Sequence, residues 1–121
     1  MINTEGTEPI YVQIANWLET EILNEKIKGD EKMYSQYKLA EMFNINPATA
    51  AKGLNILVDD EILYKRRGLG MFVSANAREI VLQKRKRTTL EKLIEDVVRE
   101  ARILEVDEKN LIAMIKKKIG E

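Results

Sequence analysis

The stretch SQYKLAEMFNINPATAAKGLNIL, residues 35–57, decides the fold. Its first half places apolar residues at the spacing of one helix face, namely Leu39, Ala40, Met42 and Phe43. Ser35 stands before them and can cap that helix by accepting a hydrogen bond from a backbone N–H. Asn44 can adopt a left-handed conformation and end the helix, and Asn46 can cap the next one. The stretch therefore predicts a helix, a three-residue turn in which Ile45 enters the core, and a second helix.

The second helix of this motif is predicted over residues 47–60. It begins with Pro47, which suits a first helical position because the missing N–H would be unpaired there. Its first two turns carry small side chains, and we expect Ala50 and Gly53 to let the preceding helix cross closely. The bulky apolar residues come later, at Leu54, Leu57 and Val58. This order predicts a helix that makes contacts at its beginning and packs into a core at its end.

Two further elements surround this motif. Helical spacing of apolar residues predicts a helix over residues 9–24, with Pro9 at its first position. After the motif, two β-favouring segments, 62–66 and 71–74, flank the sequence Arg67-Gly68-Leu69-Gly70. The two glycines permit the positive φ that a tight hairpin requires. Residues 1–75 are thus predicted as a winged helix-turn-helix domain, mainly α with a small β-hairpin.

The remaining residues, 76–121, are predicted as two helices that form a short dimerisation region. One helix carries an apolar stripe too long to stay exposed on a lone helix, and Asp107 can cap the last helix. We expect the dimer contact to use Leu90, Leu93, Ile94, Val97, Ala101, Leu104, Leu111 and Ile115.

Composition narrows the function classes. The chain has 121 residues with no Cys and no His, which disfavours an enzyme and predicts no cofactor and no metal. It has no apolar run long enough for a membrane span and no signal-peptide pattern at its start, which predicts a soluble, cytoplasmic protein. Net charge is zero, but residues 1–75 carry 8 Lys/Arg against 11 Asp/Glu (−3), and residues 76–121 carry 12 against 9 (+3). Any DNA binding is therefore expected to come from a local basic edge and to be sensitive to salt.

Three short motifs have competing interpretations. The Gly68-Leu69-Gly70 sequence lacks the further glycine or the GK[ST] of a phosphate-binding loop, which favours a hairpin turn. The KRR sequence, residues 65–67, could be a solvated strand end, but beside a helix-turn-helix it favours DNA contact. The acidic run at 59–61 favours a solvated helix end over a metal site, because no ligand loop accompanies it.

Three blocks in this order carry a resemblance: PIYVQIANWLETEIL (9–23), SQYKLAEMFNINPATAAKGLNILVDDEIL (35–63) and KRRGLGMFV (65–73). Together they resemble the winged-helix domain of the GntR family of bacterial transcription regulators. The NPATAAK sequence and the short two-helix tail are similar to the YtrA-like subfamily. Members of that subfamily typically dimerise through this tail and often control operons that encode ABC transporters.

The resemblance implies a set of DNA-binding residues. Ser35, Asn46 and Thr49 would meet phosphate at helix N-termini, Ala48 and Lys52 would face the groove, and Arg67 with Gly68 would enter from the hairpin. The complete implied set is Ser35, Tyr37, Asn46, Pro47, Ala48, Thr49, Lys52, Arg66, Arg67 and Gly68. Tyr37 stands where the family often has an arginine, which implies a weaker contact and a different operator preference.

The sequence thus predicts a homodimeric regulator, a repressor rather than an activator, bound to a palindromic double-stranded operator. The competing interpretation is a winged helix that binds another protein, and zero net charge with Tyr37 favours it slightly. The two interpretations differ in the salt dependence of DNA binding. The sequence does not tell whether a small-molecule effector binds.

Overall fold

The computed structural model describes residues 2–121 and is mostly helical, with one two-stranded antiparallel hairpin. The elements are α1 Ile10–Leu23, α2 Gln36–Phe43, α3 Pro47–Asp59, β1 Leu63–Arg66, β2 Gly70–Val73, α4 Ala77–Arg85, a π-helical turn Lys86–Leu90, α5 Glu91–Ile103 and α6 Glu108–Ile119. The described residues form two compact units, 2–83 and 84–121.

The predicted helix-turn-helix is confirmed down to its capping residues. The Ser35 hydroxyl accepts a hydrogen bond from the Lys38 N–H at 3.0 Å and so begins α2. Asn44 ends α2 in the left-handed conformation, with φ of 53°. The Asn46 side chain then accepts from the Ala48 N–H at 2.8 Å and begins α3. Each cap pairs a backbone donor that the helix itself leaves free, which fixes the turn.

The predicted start of the first helix is off by one residue. Pro9 was expected at the first helical position, but its ψ of 147° is extended, and α1 begins at Ile10. The Pro9 carbonyl accepts from the N–H groups of Val12 and Gln13, each at 3.1 Å. Pro9 is therefore the N-cap residue, and its carbonyl oxygen accepts the first hydrogen bonds of α1.

The core of the first unit lies between α1, α2, α3 and the hairpin. Its fully buried side chains include Ile14, Leu18, Leu39, Leu54, Leu57, Ile62, Leu63 and Val73, and Ala77 and Val81 of α4 join the same cluster. Ile45 packs against this cluster from the turn, as predicted. The core fixes the orientation of α3, because one side of that helix is buried along its whole length.

The close helix approach at Gly53 involves a different partner from the one predicted. A Cβ on Gly53 would lie 2.9 Å from the Tyr11 carbonyl oxygen and 3.0 Å from Ile14 Cγ2. Both contacts belong to α1, so it is α1 and not the preceding helix α2 that crosses α3 here. The reason is that α3 packs against both helices and turns its Gly53 side toward α1.

The hairpin pairs Leu63 with Val73 and Arg66 with Gly70. Gly68 and Gly70 have φ of 77° and 111°, so the turn uses both glycines as the sequence predicts. Arg67 lies outside the strands, in this turn. A short segment before α2 extends the sheet, since Lys32 forms an isolated antiparallel bridge with Phe72.

The second unit is a pair of helices with almost no interior of its own. Asp107 caps α6 by accepting from the Asn110 N–H at 2.9 Å, as predicted. On the polar side of α5, Asp96 accepts from Arg99 at 2.9 Å and pairs with Lys92 at 3.2 Å, and these two cations lower the pKa of the exposed Asp96 carboxyl. Ala101 is the one buried residue in 84–121.

None of the helices in residues 2–121 has both the length and the apolar character needed to cross a bilayer.

Candidate nucleic-acid interface

The exposed side of α3 is the centre of the candidate interface. Ala48, Lys52 and Asn55 are all exposed, and their spacing of four and three residues places them on one face of the helix. Ala50 and Leu54 lie on the opposite face and are buried. The helix therefore presents one short, one charged and one amide side chain to solvent along about two turns, with nothing bulky among them.

Asn55 was missed by the sequence-based set. An asparagine amide can form two hydrogen bonds with adenine, to N6 and N7, so Asn55 is a candidate for base recognition on this face. The spacing from Lys52 is a signal that could have identified it, once the buried face of α3 is assigned.

The first turn of α3 offers fewer free N–H groups than its sequence suggests. Pro47 has no N–H, and the Ala48 N–H donates to the Asn46 side chain. The Thr49 N–H donates to the Asn46 carbonyl at 3.0 Å, and Thr49 itself is half-buried. A phosphate at this helix end would therefore be contacted mainly by side chains, with Asn46 serving first as the cap.

Lys52 is the one charged side chain on the outer face of α3 before Asp59. Its ammonium lies 4.1 Å from the centre of the Tyr11 ring, which belongs to the first turn of α1. The arrangement is a cation–π contact between two helices. Lys52 remains exposed in spite of it, so its charge is accessible to a second partner.

The hairpin carries a stacked group on the face that points away from the core. The Arg66 guanidinium lies 5.3 Å from the centre of the Phe72 ring, and Tyr64 stacks on the same ring with centroids 5.9 Å apart. Leu63 and Val73 are buried on the other face. Arg66 thus contacts the Phe72 ring, whereas Arg67 and Gly68 lie at the exposed tip of the turn.

Lys32 is a second residue that the sequence-based set missed. It bridges to Phe72, and its Cε would lie 3.1 Å from a Cβ on Gly70, so its stem runs against the hairpin tip. The neighbouring Met33 is buried and its N–H donates to the Met71 carbonyl at 2.9 Å. One polar residue followed by one apolar residue is too short an alternation to predict a strand, so the sequence around Lys32 carries no sufficient signal for this bridge.

The remaining predicted residues lie on α2. Tyr37 is 70% exposed in its first turn, and Ser35 is exposed at its N-cap. The Ser35 hydroxyl is already engaged with the Lys38 N–H. A phenol can donate a hydrogen bond to a phosphate oxygen, but it adds no charge.

The chemistry of these surfaces suits a polyanion. Lys32, Lys52, Arg66 and Arg67 are exposed cations of the first unit, and α3 contacts β1 directly. Cations of this kind neutralise phosphates, and a slim helix face can reach base edges in the major groove.

Comparisons with known proteins agree with this chemistry. No protein-family model matches the chain. It is 38% identical over 82 residues to the HTH-type transcriptional repressor NagR of Bacillus subtilis (strain 168), a match that covers 68% of this chain and 34% of NagR. It is 27% identical over 115 residues to the HTH-type transcriptional repressor YtrA of the same organism, which covers 95% of this chain and 88% of YtrA. A solved GntR family transcriptional regulator from Listeria monocytogenes is 28% identical and superimposes with a TM-score of 0.75, covering 93% of this chain and 97% of that one.

The chain belongs to the GntR family of transcriptional regulators.

Membership of the GntR family confirms the predicted fold, a winged helix-turn-helix with a two-stranded hairpin. The chain spans about a third of the length of NagR and 88% of the length of YtrA. Part of the chain also matches the AraR DNA-binding domain solved in complex with operator ORX1. That match has 29% identity and a TM-score of 0.54, and it covers 60% of this chain and 87% of that domain.

Proposed function

We propose that this protein is a sequence-specific DNA-binding repressor that acts as a homodimer on a palindromic operator. The observation that carries the proposal is the outer face of α3, where Ala48, Lys52 and Asn55 are exposed. The turn before this helix is fixed by the Asn46 side chain, which caps α3. NagR and YtrA are both named as repressors, and the AraR domain was solved on operator DNA, which supports the same activity here.

On DNA, α3 is the recognition helix and enters the major groove. The Ala48 methyl group suits a thymine methyl, the Lys52 ammonium suits guanine O6 and N7, and the Asn55 amide suits adenine. The hairpin, with Arg67 at its tip and Arg66 beside it, contacts the neighbouring backbone. Ser35, Tyr37, Asn46, Pro47, Thr49 and Gly68 complete the proposed contact set and act through hydrogen bonds or close backbone approach.

The homodimer forms through the second unit, residues 84–121. That unit exposes Leu93 at 55%, Val97 at 44% and Leu104 at 65%, and Ala101 is its one buried residue. The rest of the proposed surface is Leu90, Ile94, Leu111 and Ile115, whereas Ala101 of the predicted set is already buried in the single chain. So much exposed apolar area in so small a unit indicates a protein interface, and a second copy is the partner that a palindromic operator requires. Two recognition helices ~34 Å apart would then read successive major grooves.

The target is an operon for an ABC transporter. This part of the proposal rests on the resemblance to the YtrA-like subfamily and on the length that the chain shares with YtrA.

Footprinting of the DNA upstream of the protein's own gene tests the proposal. We expect protection of two inverted half-sites whose centres are about 10 base pairs apart, or a multiple of that spacing. Protection of a single unpaired half-site would contradict the dimeric mode. Absence of any protected site there and in transporter promoters would favour the alternative, a winged helix that binds another protein.

A further inference from the structure

We propose that Tyr11 is a positioning residue for DNA recognition, because its ring holds the Lys52 ammonium in place for the groove. The proposal rests on the proposed function, in which Lys52 contacts DNA. Tyr11 belongs to α1, outside the helix-turn-helix and outside the hairpin. Through this contact, α1 would influence which DNA sequence the protein selects.

The geometry of the α1–α3 crossing brings the two side chains together. Gly53 has no side chain, and a Cβ there would lie 2.9 Å from the Tyr11 carbonyl oxygen, so the two backbones touch at this point. Lys52 is the residue immediately before Gly53, and its side chain leaves α3 beside the same turn of α1. Its ammonium consequently lies 4.1 Å from the Tyr11 ring centroid, well inside the ~6 Å range of a cation–π contact.

The contact orders Lys52 without hiding its charge. Tyr11 is half-buried, whereas Lys52 is exposed. In the part of the chain that the structure describes, no carboxylate forms an ion pair with Lys52. The ring covers one side of the ammonium and leaves N–H donors for a base or a phosphate. Because the long lysine side chain is already partly ordered in the free protein, it loses less conformational entropy when DNA binds.

The expected effect is modest and measurable. Cation–π contacts at exposed sites correspond to about a two- to fivefold change in an equilibrium constant. Removing the ring should therefore weaken specific DNA binding about two- to fivefold, and only when the lysine is present.

Two variants of Tyr11 separate the ring from the rest of the side chain. Tyr11→Phe keeps an aromatic face, and Tyr11→Leu keeps apolar bulk and helix propensity without one. NMR on the free protein reads the contact directly, because the ring current shifts the Lys52 ε-methylene protons. We expect the shift in wild type and in Y11F and its loss in Y11L, with the remaining backbone spectrum showing that Y11L is folded.

A double-mutant cycle then tests whether DNA binding uses the contact. Affinities for the footprinted duplex are measured for wild type, Y11L, K52M and the double variant. We expect the loss caused by Y11L to disappear in the K52M background, since methionine keeps the stem of the lysine but removes its cation. Any effect of Y11L on the α1–α3 packing would persist in that background.

The outcomes are distinct. An equal loss from Y11L in both backgrounds, no loss at all, or absence of the ring-current shift in wild type would overturn the positioning role while leaving the proposed function intact. Failure of wild type to prefer the duplex over a scrambled one would remove the proposed function, and the positioning role with it, whatever the NMR result.

Discussion

Lys52 and Arg67 are the residues whose charges contribute most directly to the proposed interface. One stands exposed on the outer face of α3, and the other lies at the hairpin tip. Neither belongs to the buried core, so their removal should leave the fold unchanged. Their proposed roles differ, since Lys52 is assigned to base edges and Arg67 to the phosphate backbone.

We expect Lys52→Ala to weaken specific binding by about 1–3 kcal/mol, because a base contact is lost. Arg67→Ala should weaken binding to all sequences similarly and lower the salt slope by about 1, because one phosphate contact is lost. Gel-shift titrations over a range of salt concentrations measure both effects. Lys26→Ala is the matched control, since Lys26 is exposed beyond the opposite end of α1. Wild-type affinity in both Lys52→Ala and Arg67→Ala would contradict the assignment of α3 and the hairpin to the DNA interface.

At the scale of elements, the sequence predicts best those features whose partners are close in the chain. The caps at Ser35 and Asn46 and the left-handed Asn44 depend on hydrogen bonds within a few residues, and all three are confirmed. The bridge from Lys32 to Phe72 joins residues far apart in the chain, so no local pattern contains it.

The helix that meets Gly53 is another long-range feature. A glycine on a helix face predicts a close neighbour, but two helices were available, and the choice of α1 over α2 depends on tertiary packing. The cation–π contact of Lys52 depends on the same crossing and could not be predicted either. Candidate groove residues can thus be identified from helical spacing, whereas the contacts that hold them require the fold.

The α1–α3 crossing gives a stability prediction. We expect Gly53→Ala to destabilise the protein, because the added methyl group meets the backbone of α1, a contact that costs about 1–3 kcal/mol. Alanine gains ~1 kcal/mol over glycine in a helix, so the net loss of stability is up to about 2 kcal/mol. Thermal unfolding measures the difference. The control is Gly120→Ala, where the nearest atom to an added Cβ is 3.5 Å away and no loss is expected. A more stable G53A protein would contradict the close crossing.

At the scale of the whole molecule, the two compact units have opposite character. Residues 2–83 enclose a full apolar core, whereas residues 84–121 expose most of their apolar side chains. An open apolar pocket of about 180 Å³ lies on the second unit, lined by Val97, Ala101, Leu104, Val106, Leu111, Met114 and the acidic Glu100. We propose that a second copy covers this surface.

We expect Val97→Glu to shift the protein toward monomer by about 3 kcal/mol or more, roughly a hundredfold in the dissociation constant, because it would bury an unpaired charge. Sedimentation equilibrium measures the shift. Glu95→Lys is the matched control, since Glu95 lies about 200° around α5 from Val97, on the polar side. An unchanged dimer in V97E would place the interface elsewhere.

The measurement that tests the central claim most directly is a binding titration of the wild-type protein against its footprinted duplex and a scrambled duplex of equal length, repeated from low to high salt. We expect at least ~10³-fold tighter binding to the footprinted duplex, and for both duplexes a linear fall of log affinity with log salt concentration. Equal affinity for the two duplexes, or an affinity that does not change with salt, would contradict the assignment of this GntR-family chain as a sequence-specific DNA-binding regulator.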